Sequence, residues 1–220
     1  CGRTLLRGLI RHLGSELDFS VTDTAGNKLT DSTSDFTVVE KAKYSVTLRP
    51  GWNLVSLPGA PADTAINTVI TIAAVDTVLT YDPSLPGAWL TAVRDSDGNL
   101  AGTLTTIEDG KGYWVHTTTF EAIKVDIPGH TVGAAAILPE YTLQAGWNLV
   151  AINTEVGATT RDADEYFKGL SWSRIYGYSN SGGAFTSIIP DAVAGTDSNV
   201  DLTVGQGYWI YLLEGGSFAP

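Results

Sequence analysis

Thr47-Leu48-Arg49-Pro50-Gly51-Trp52-Asn53-Leu54-Val55 decides how the rest of this chain is read, because the pattern occurs twice. The second copy is Thr142-Leu143-Gln144-Ala145-Gly146-Trp147-Asn148-Leu149-Val150, 95 positions further on. A later block, Gly110-Lys111-Gly112-Tyr113-Trp114-Val115, returns at the same offset as Gly205-Gln206-Gly207-Tyr208-Trp209-Ile210. Trp52 and Trp114 are therefore as far apart as Trp147 and Trp209, 62 residues in each case. This spacing predicts two tandem copies of one unit, each opened by a Gly-Trp-Asn strand and closed by a Gly-Tyr-Trp strand.

Working outward, Tyr44, Val46 and Leu48 alternate with polar residues as in a half-buried strand. Pro50-Gly51 turns the chain into Trp52–Leu57, which Pro58-Gly59 stops. Asp63 can cap a short helix with Ile66, Val69, Ile70 and Ala73 on its apolar side. Val75–Tyr81, Trp89–Val93 and Leu104–Ile107 are expected strands, separated by turn-rich segments at 82–87 and 95–99. The second copy repeats this order, with a helix over Asp162–Phe167 and strands at Ser173–Tyr178 and Ala184-Phe185. Ile123, Val125 and Ile127 alternate in the join between the copies. The expected fold is mainly β (a β-rich α+β class), two tandem homologous β-domains with one short helix each. Their boundaries are 41–130 and 131–220.

Residues 1–40 read as the end of a preceding module and a linker. Leu5, Leu6, Leu9 and Leu13 have helical spacing, with Arg3, Arg7 and Arg11 opposite, but Gly8 and Gly14 interrupt the pattern and it stays unassigned. Leu17–Val21 alternates, Gly26-Asn27 supplies hairpin chemistry, and Lys28–Val38 runs extended.

The charge balance is acidic, 24 Asp and Glu against 13 Lys and Arg, for a formal net charge of −11. Most of it lies after residue 50. Such a surface repels phosphate backbones, which excludes nucleic acid as the expected partner. The single cysteine, Cys1, rules out an internal disulfide framework and Cys-rich metal sites. At the first position it reads as a cut boundary, a lipid-bearing residue or a dimerising thiol. No run approaches the ~20 apolar residues of a membrane span.

The pairing of Gly51-Trp52-Asn53-Leu54-Val55 with Gly110-Lys111-Gly112-Tyr113-Trp114-Val115, bridging a helix, Tyr81-Asp82 and Trp89, resembles a repeat of large secreted and cell-surface proteins of bacteria and archaea. The likeness covers residues 44–220. The Asp23-x-Ala25-Gly26-Asn27 turn resembles the last hairpin of bacterial immunoglobulin-like modules. The second copy departs at Tyr176-Gly177-Tyr178, which lacks a following Asp-Pro. The resemblance implies an extracellular or cell-surface location and a structural role: adhesion, matrix or S-layer-like assembly. It implies other modules or copies of the same surface protein, or cell-envelope glycans, as partners.

Exposed tryptophans bind sugars, so six of them invite a carbohydrate-binding reading. Four, Trp52, Trp114, Trp147 and Trp209, sit in the repeated blocks and are expected in the core, where burial of each aromatic contributes a few kcal/mol. Trp89 and Trp172 are then the candidates for a binding surface. The repeated glycines are expected to allow a tight turn or close packing under the indoles. Asp95, Asp97 and Asn99 place three oxygen side chains on alternate residues around Gly98, as calcium loops do, but the acidic twelfth position is missing. Calcium is therefore a candidate cofactor, and a plain hairpin turn the competing reading. His12, His116 and His130 share no metal-site spacing, and no nucleophile elbow or zinc motif occurs. Glu108/Asp109 and Asp164/Glu165 are the acidic pairs a glycosidase would need, and in so acidic a chain they read as solvated turns and helix ends. A non-enzymatic module is expected.

Overall fold

The computed structural model describes residues 7–13, 16–22, 42–127, 139–153, 159–190 and 201–219. Among them the fold is mainly β: antiparallel sheets and two helices of a single turn each. Strands β1 (Arg7–Leu13) and β2 (Glu16–Thr22) form a two-stranded sheet, with Leu13 opposite Glu16. Leu9 and Leu13, read at helical spacing, therefore lie on a strand, and Leu5 and Leu6 lie outside the described residues. An isolated helix of this length with two glycines is marginal in water, whereas the antiparallel partner bonds alternate residues of Arg7–Leu13. The hairpin expected at Gly26-Asn27 and the run 28–38 lie outside the described residues.

The first half, 42–127, opens and closes with paired strands, β3 (Ala42–Leu48) against β9 (Glu121–Ile127). Between them come β4 (Gly51–Ser56), α1 (Ile66–Val69), β5 (Val75–Tyr81), β6 (Trp89–Arg94), β7 (Leu100–Gly102) and β8 (Gly112–Thr117). Five of these strands form one sheet in the order β4-β8-β5-β6-β7. The second half, 139–219, has β10 (Tyr141–Leu143), β11 (Gly146–Val150), β12 (Thr160–Arg161), α2 (Ala163–Tyr166), β13 (Trp172–Ser179), β14 (Ala184–Ile188), β15 (Leu202–Thr203), β16 (Tyr208–Leu212) and β17 (Gly216–Phe218). Its sheet runs β11-β16-β13-β14, and β10 pairs with β17 as β3 does with β9. Even an irregularity is shared: β5 bulges between Val75 and Thr77, and β13 between Trp172 and Arg174.

The Gly-Trp-Asn triplet has a local cause. Gly51 and Gly146 sit at φ +93° and +91°, where an L side chain is strained. Two residues on, the Asn side chain turns back into the bend. Asn53 Oδ1 accepts from Arg49 N at 2.9 Å and its amide donates to the Arg49 and Gly51 carbonyls at 2.8 and 3.0 Å. Asn148 repeats this with Gln144 and Gly146, at 3.0, 2.7 and 3.1 Å. Both asparagines are buried, so these bonds also satisfy polar atoms that water cannot reach.

The helices differ in their starts. Asp162 caps α2 by accepting from Glu165 N at 2.7 Å. Asp63 does not cap α1, which begins after Ala65; its carboxylate accepts from Ala65 N in the preceding turn. Each half has its own buried cluster. One runs from Val46 through Val78, Tyr113 and Val115 to Ile123; the other runs from Leu143 through Phe167, Ile175 and Ile210 to Phe218. Half-buried Tyr44 packs against both.

The halves clasp each other through backbone. The edge of β4 meets the turn before β16: Ser56 N donates to Gly205 O at 2.9 Å and Gly207 N to Leu54 O at 3.2 Å. The edge of β11 meets the turn before β8, where Ala151 N donates to Gly110 O at 3.1 Å. A Cβ on Gly207 would stand 2.8 Å from Val55 O, and one on Gly112 2.9 Å from Val150 O. The second glycine of each repeated Gly-x-Gly is thus required by the approach of the other half's backbone and not by packing beneath an indole, while the first, Gly110 at φ +73° or Gly205 at +85°, makes the tight turn. Each half covers the sheet edge that the other would otherwise leave exposed.

Candidate functional site

In β8 the buried positions are Tyr113, Val115 and Thr117, so Trp114 and His116 point outward. In β16 Tyr208, Ile210 and Leu212 are buried, and Trp209 and Tyr211 are outward. Trp52 and Trp147 lie beside them on the neighbouring strands, 38% and 37% exposed. This corrects the expectation that Trp52, Trp114, Trp147 and Trp209 form the core. Side chains alternate across a strand, so adjacent Tyr and Trp cannot both face inward, and the smaller ring takes the interior. Trp172, expected at the surface, is buried at 8%, while Trp89 is 45% exposed. Trp172 lies beside the bulge of β13 and belongs to the second core.

The outward rings form two clusters, each built by both halves. Trp114 packs against Tyr178 and Phe185 of the second half, with centroids 5.1 and 6.2 Å away at 56° and 69°. Trp209 packs against Tyr81 and Trp89 of the first half, at 5.2 and 5.8 Å and 57° and 69°. Trp52 meets Trp114 edge-on at 6.4 Å and 85°, and Trp147 meets Trp209 at 6.4 Å and 88°. Tyr81 lies opposite Trp89 in its sheet, and Tyr178 opposite Phe185. The two clusters correspond ring for ring, as a two-fold relation between the halves demands. Edge-to-face contacts of this kind add ~0.5–1.5 kcal/mol each beyond the area buried. Tyr81, Trp147, Tyr176, Phe185 and Trp209 line a groove of about 540 Å³.

Two polar clefts flank the junction, of about 550 and 500 Å³. In the first, Lys111 Nζ stands 3.2 Å from both Asp82 Oδ2 and Glu108 Oε2. Burial alone would raise Asp82, but hydrogen bonds from Ser84 and the Lys111 ammonium hold it below the usual carboxylate range. Burial works to lower Lys111, and its two carboxylate partners prevail and raise it. Tyr141 donates to Asp109 Oδ2 at 2.6 Å and accepts from the Asn153 amide. Burial first, and the Asp109 carboxylate second, keep that hydroxyl protonated well above the ordinary tyrosine value. In the second cleft Asn180 donates to the Pro50 and Trp52 carbonyls at 3.2 and 2.6 Å. Strand pairing aligns Tyr178 with Tyr81, so Asn180 stands where the first half has Pro83.

The Asp95–Asn99 segment is the turn between β6 and β7. Asp95 Oδ1 accepts from Asp97 N and Asn99 N at 3.0 and 2.8 Å, and Asp95 N donates to Asn99 O at 2.8 Å. One carboxylate oxygen of the proposed calcium set is thus engaged by its own loop. Among the described residues, no group of three or more His, Cys, Asp or Glu could hold a metal ion, and no helix is long and apolar enough to cross a membrane. Comparison of the chain with protein-family models, with curated proteins and with solved structures finds no match in any of the three.

Proposed function

We propose that this chain is a non-enzymatic contact module of an extracellular or cell-surface protein, in which two homologous units brace each other and present one aromatic face for adhesion or assembly. The observation that carries this reading is the reciprocal construction of the two ring clusters. A face that needs both halves is held by the clasp between them, as a rigid contact surface requires. Its most protruding rings, Phe185 and Trp89, are 58% and 45% exposed, and apolar surface left open in this way marks interaction sites. The acidic charge and the absence of nucleotide or nucleophile motifs agree with a contact role outside the cell. So do the carboxylates of the acidic cleft, Glu108 held by Lys111 and Asp109 by Tyr141.

The test replaces Phe185 and Trp89 together with Ser. Self-association by sedimentation and retention on cell-envelope material are then compared with the parent chain, with melting as the folding control. Loss of both interactions is expected while the melt stays cooperative, lowered by no more than the ring contacts removed; full retention would overturn the reading. A carbohydrate-binding module is the second reading, favoured by the open groove in which Trp147 and Tyr176 lie 32° apart. A panel of envelope glycans that quenches indole fluorescence would favour it over assembly between protein surfaces.

A further inference from the structure

We infer that the groove lined by Tyr81, Trp147, Tyr176, Phe185 and Trp209 is a receptor for a quaternary ammonium group. This rests on the reading of the aromatic face as the contact surface and names what that surface holds. All five lining residues are aromatic. A sugar ring needs a flat platform with polar groups around it, and beyond the Trp147–Tyr176 pair, 32° apart, this groove offers no such platform. Its rings stand at steep angles: Trp209 at 57° to Tyr81 and 88° to Trp147, with centroids 5.2 and 6.4 Å apart. Such walls surround a compact, rounded group better than they stack a planar one. The face of each ring carries negative quadrupole density, which attracts a cation within about 6 Å of the centroid, most strongly one that sheds its water easily. A trimethylammonium group has that character.

Charge complementarity favours the same occupant. The chain carries a formal net charge of −11; Asp82, next to the groove residue Tyr81, is already paired with Lys111 and adds no free charge there. One cation faces the rim: Arg174, whose guanidinium donates to the Tyr176 hydroxyl at 3.3 Å. It opposes a positive ligand and supplies a control of sign.

The intact chain is titrated with choline and with 3,3-dimethylbutan-1-ol, which has choline's shape without its charge, and indole fluorescence is followed. Choline should quench saturably in the millimolar range or below, and the neutral alcohol should bind roughly tenfold more weakly, a difference of about 1.4 kcal/mol. Tyr176→Leu should weaken choline severalfold without moving the melting temperature, and Trp147→Phe should retain binding. Arg174→Gln should tighten choline and leave the alcohol unchanged, a response that a purely structural effect would not give. A trimethyl-lysine peptide and phosphatidylcholine vesicles, with phosphatidylglycerol vesicles as the control, separate a protein source of the group from a lipid one. Equal binding of choline and the alcohol would overturn the inference while leaving an apolar contact groove. Absence of binding by choline, peptide and vesicles would overturn it too, and the Phe185 and Trp89 replacement decides the contact face independently.

Discussion

In the first half Lys111 stands between the two glycines of its turn, and its ammonium is shared by Asp82 and Glu108. In the second half Gln206 stands there; its amide donates to Tyr178 O at 2.8 Å and accepts from the Tyr208 hydroxyl at 3.1 Å. Both side chains reach back to the end of the central strand, one by charge and the other by a neutral amide. What the halves have in common lies around that residue. Tyr113 OH accepts from Glu108 N, and Tyr208 OH accepts from Thr203 N, each over five residues at 2.7 Å. The lesson is that the backbone clasp fixes the glycines and the buried tyrosine, while the residue between the glycines is fixed only in its reach.

The comparison breaks most readily at the glycines. Gly112→Val and Gly207→Val each drive a side chain into a backbone carbonyl of the opposite half, and neither site has a positive φ. Each should cost about 2–4 kcal/mol and split one cooperative unfolding transition into two, read by calorimetry. A single unshifted transition would show that the clasp does not couple the halves. A smaller loss, ~1–2 kcal/mol, is expected for Asn53→Ala and for Asn148→Ala, since each strands buried backbone groups of its turn. Denaturant melts that differ widely between the two would end the equivalence of the turns.

Double-mutant cycles sharpen the comparison further. Trp114 with Tyr178 and Trp209 with Tyr81 have nearly the same separation and tilt, so their coupling should agree, at ~0.5–1.5 kcal/mol. The least effect belongs to Lys111→Gln, which gives the first half the chemistry of the second. Lys111 is about one-third exposed, so solvent screening holds the loss below ~1 kcal/mol. The loss should disappear at low pH. Asp82 has a lowered pKa, so its contribution is present above the unfolded carboxylate value and fades as pH falls through the folded one. Lys111 is raised, so its contribution persists below the unfolded lysine value and fades only as alkaline pH passes the folded one.

Most strands were legible because alternation is a local signal: Val75–Tyr81 reads correctly from its own residues, although Leu104–Ile107, expected as a strand, is none. The aromatic face was not. Gly-Tyr-Trp-Val offers two large rings side by side, and size suggested that both tryptophans went inside. Strict alternation from Val115 or Ile210 would have pointed them outward. Trp172 was misplaced for the opposite reason: its burial depends on a bulge that no local pattern announces. The clasp was least legible, because Ser56 meets Gln206 at a separation of 150 residues and a Gly-x-Gly looks the same whether it turns or yields room. The groove inherits that difficulty, since Tyr81 reaches it from the opposite half.

The pairing of β3 with β9 has a mechanical consequence. Ala42 lies opposite Ile127, and in the second half Tyr141 lies opposite Phe218. The chain therefore arrives at and leaves each half through neighbouring strands. Antiparallel hydrogen bonds lie across the strands, so tension drawing these two ends apart acts along the bonds and loads them singly, beginning with the outermost. The strand pairs at the base of each half would peel at low force, long before the sheets above them are sheared. A pull along this chain would lengthen it first at those closures, drawing Val46 and Ile123, or Leu143 and Phe218, out of their cores before the aromatic face is disturbed.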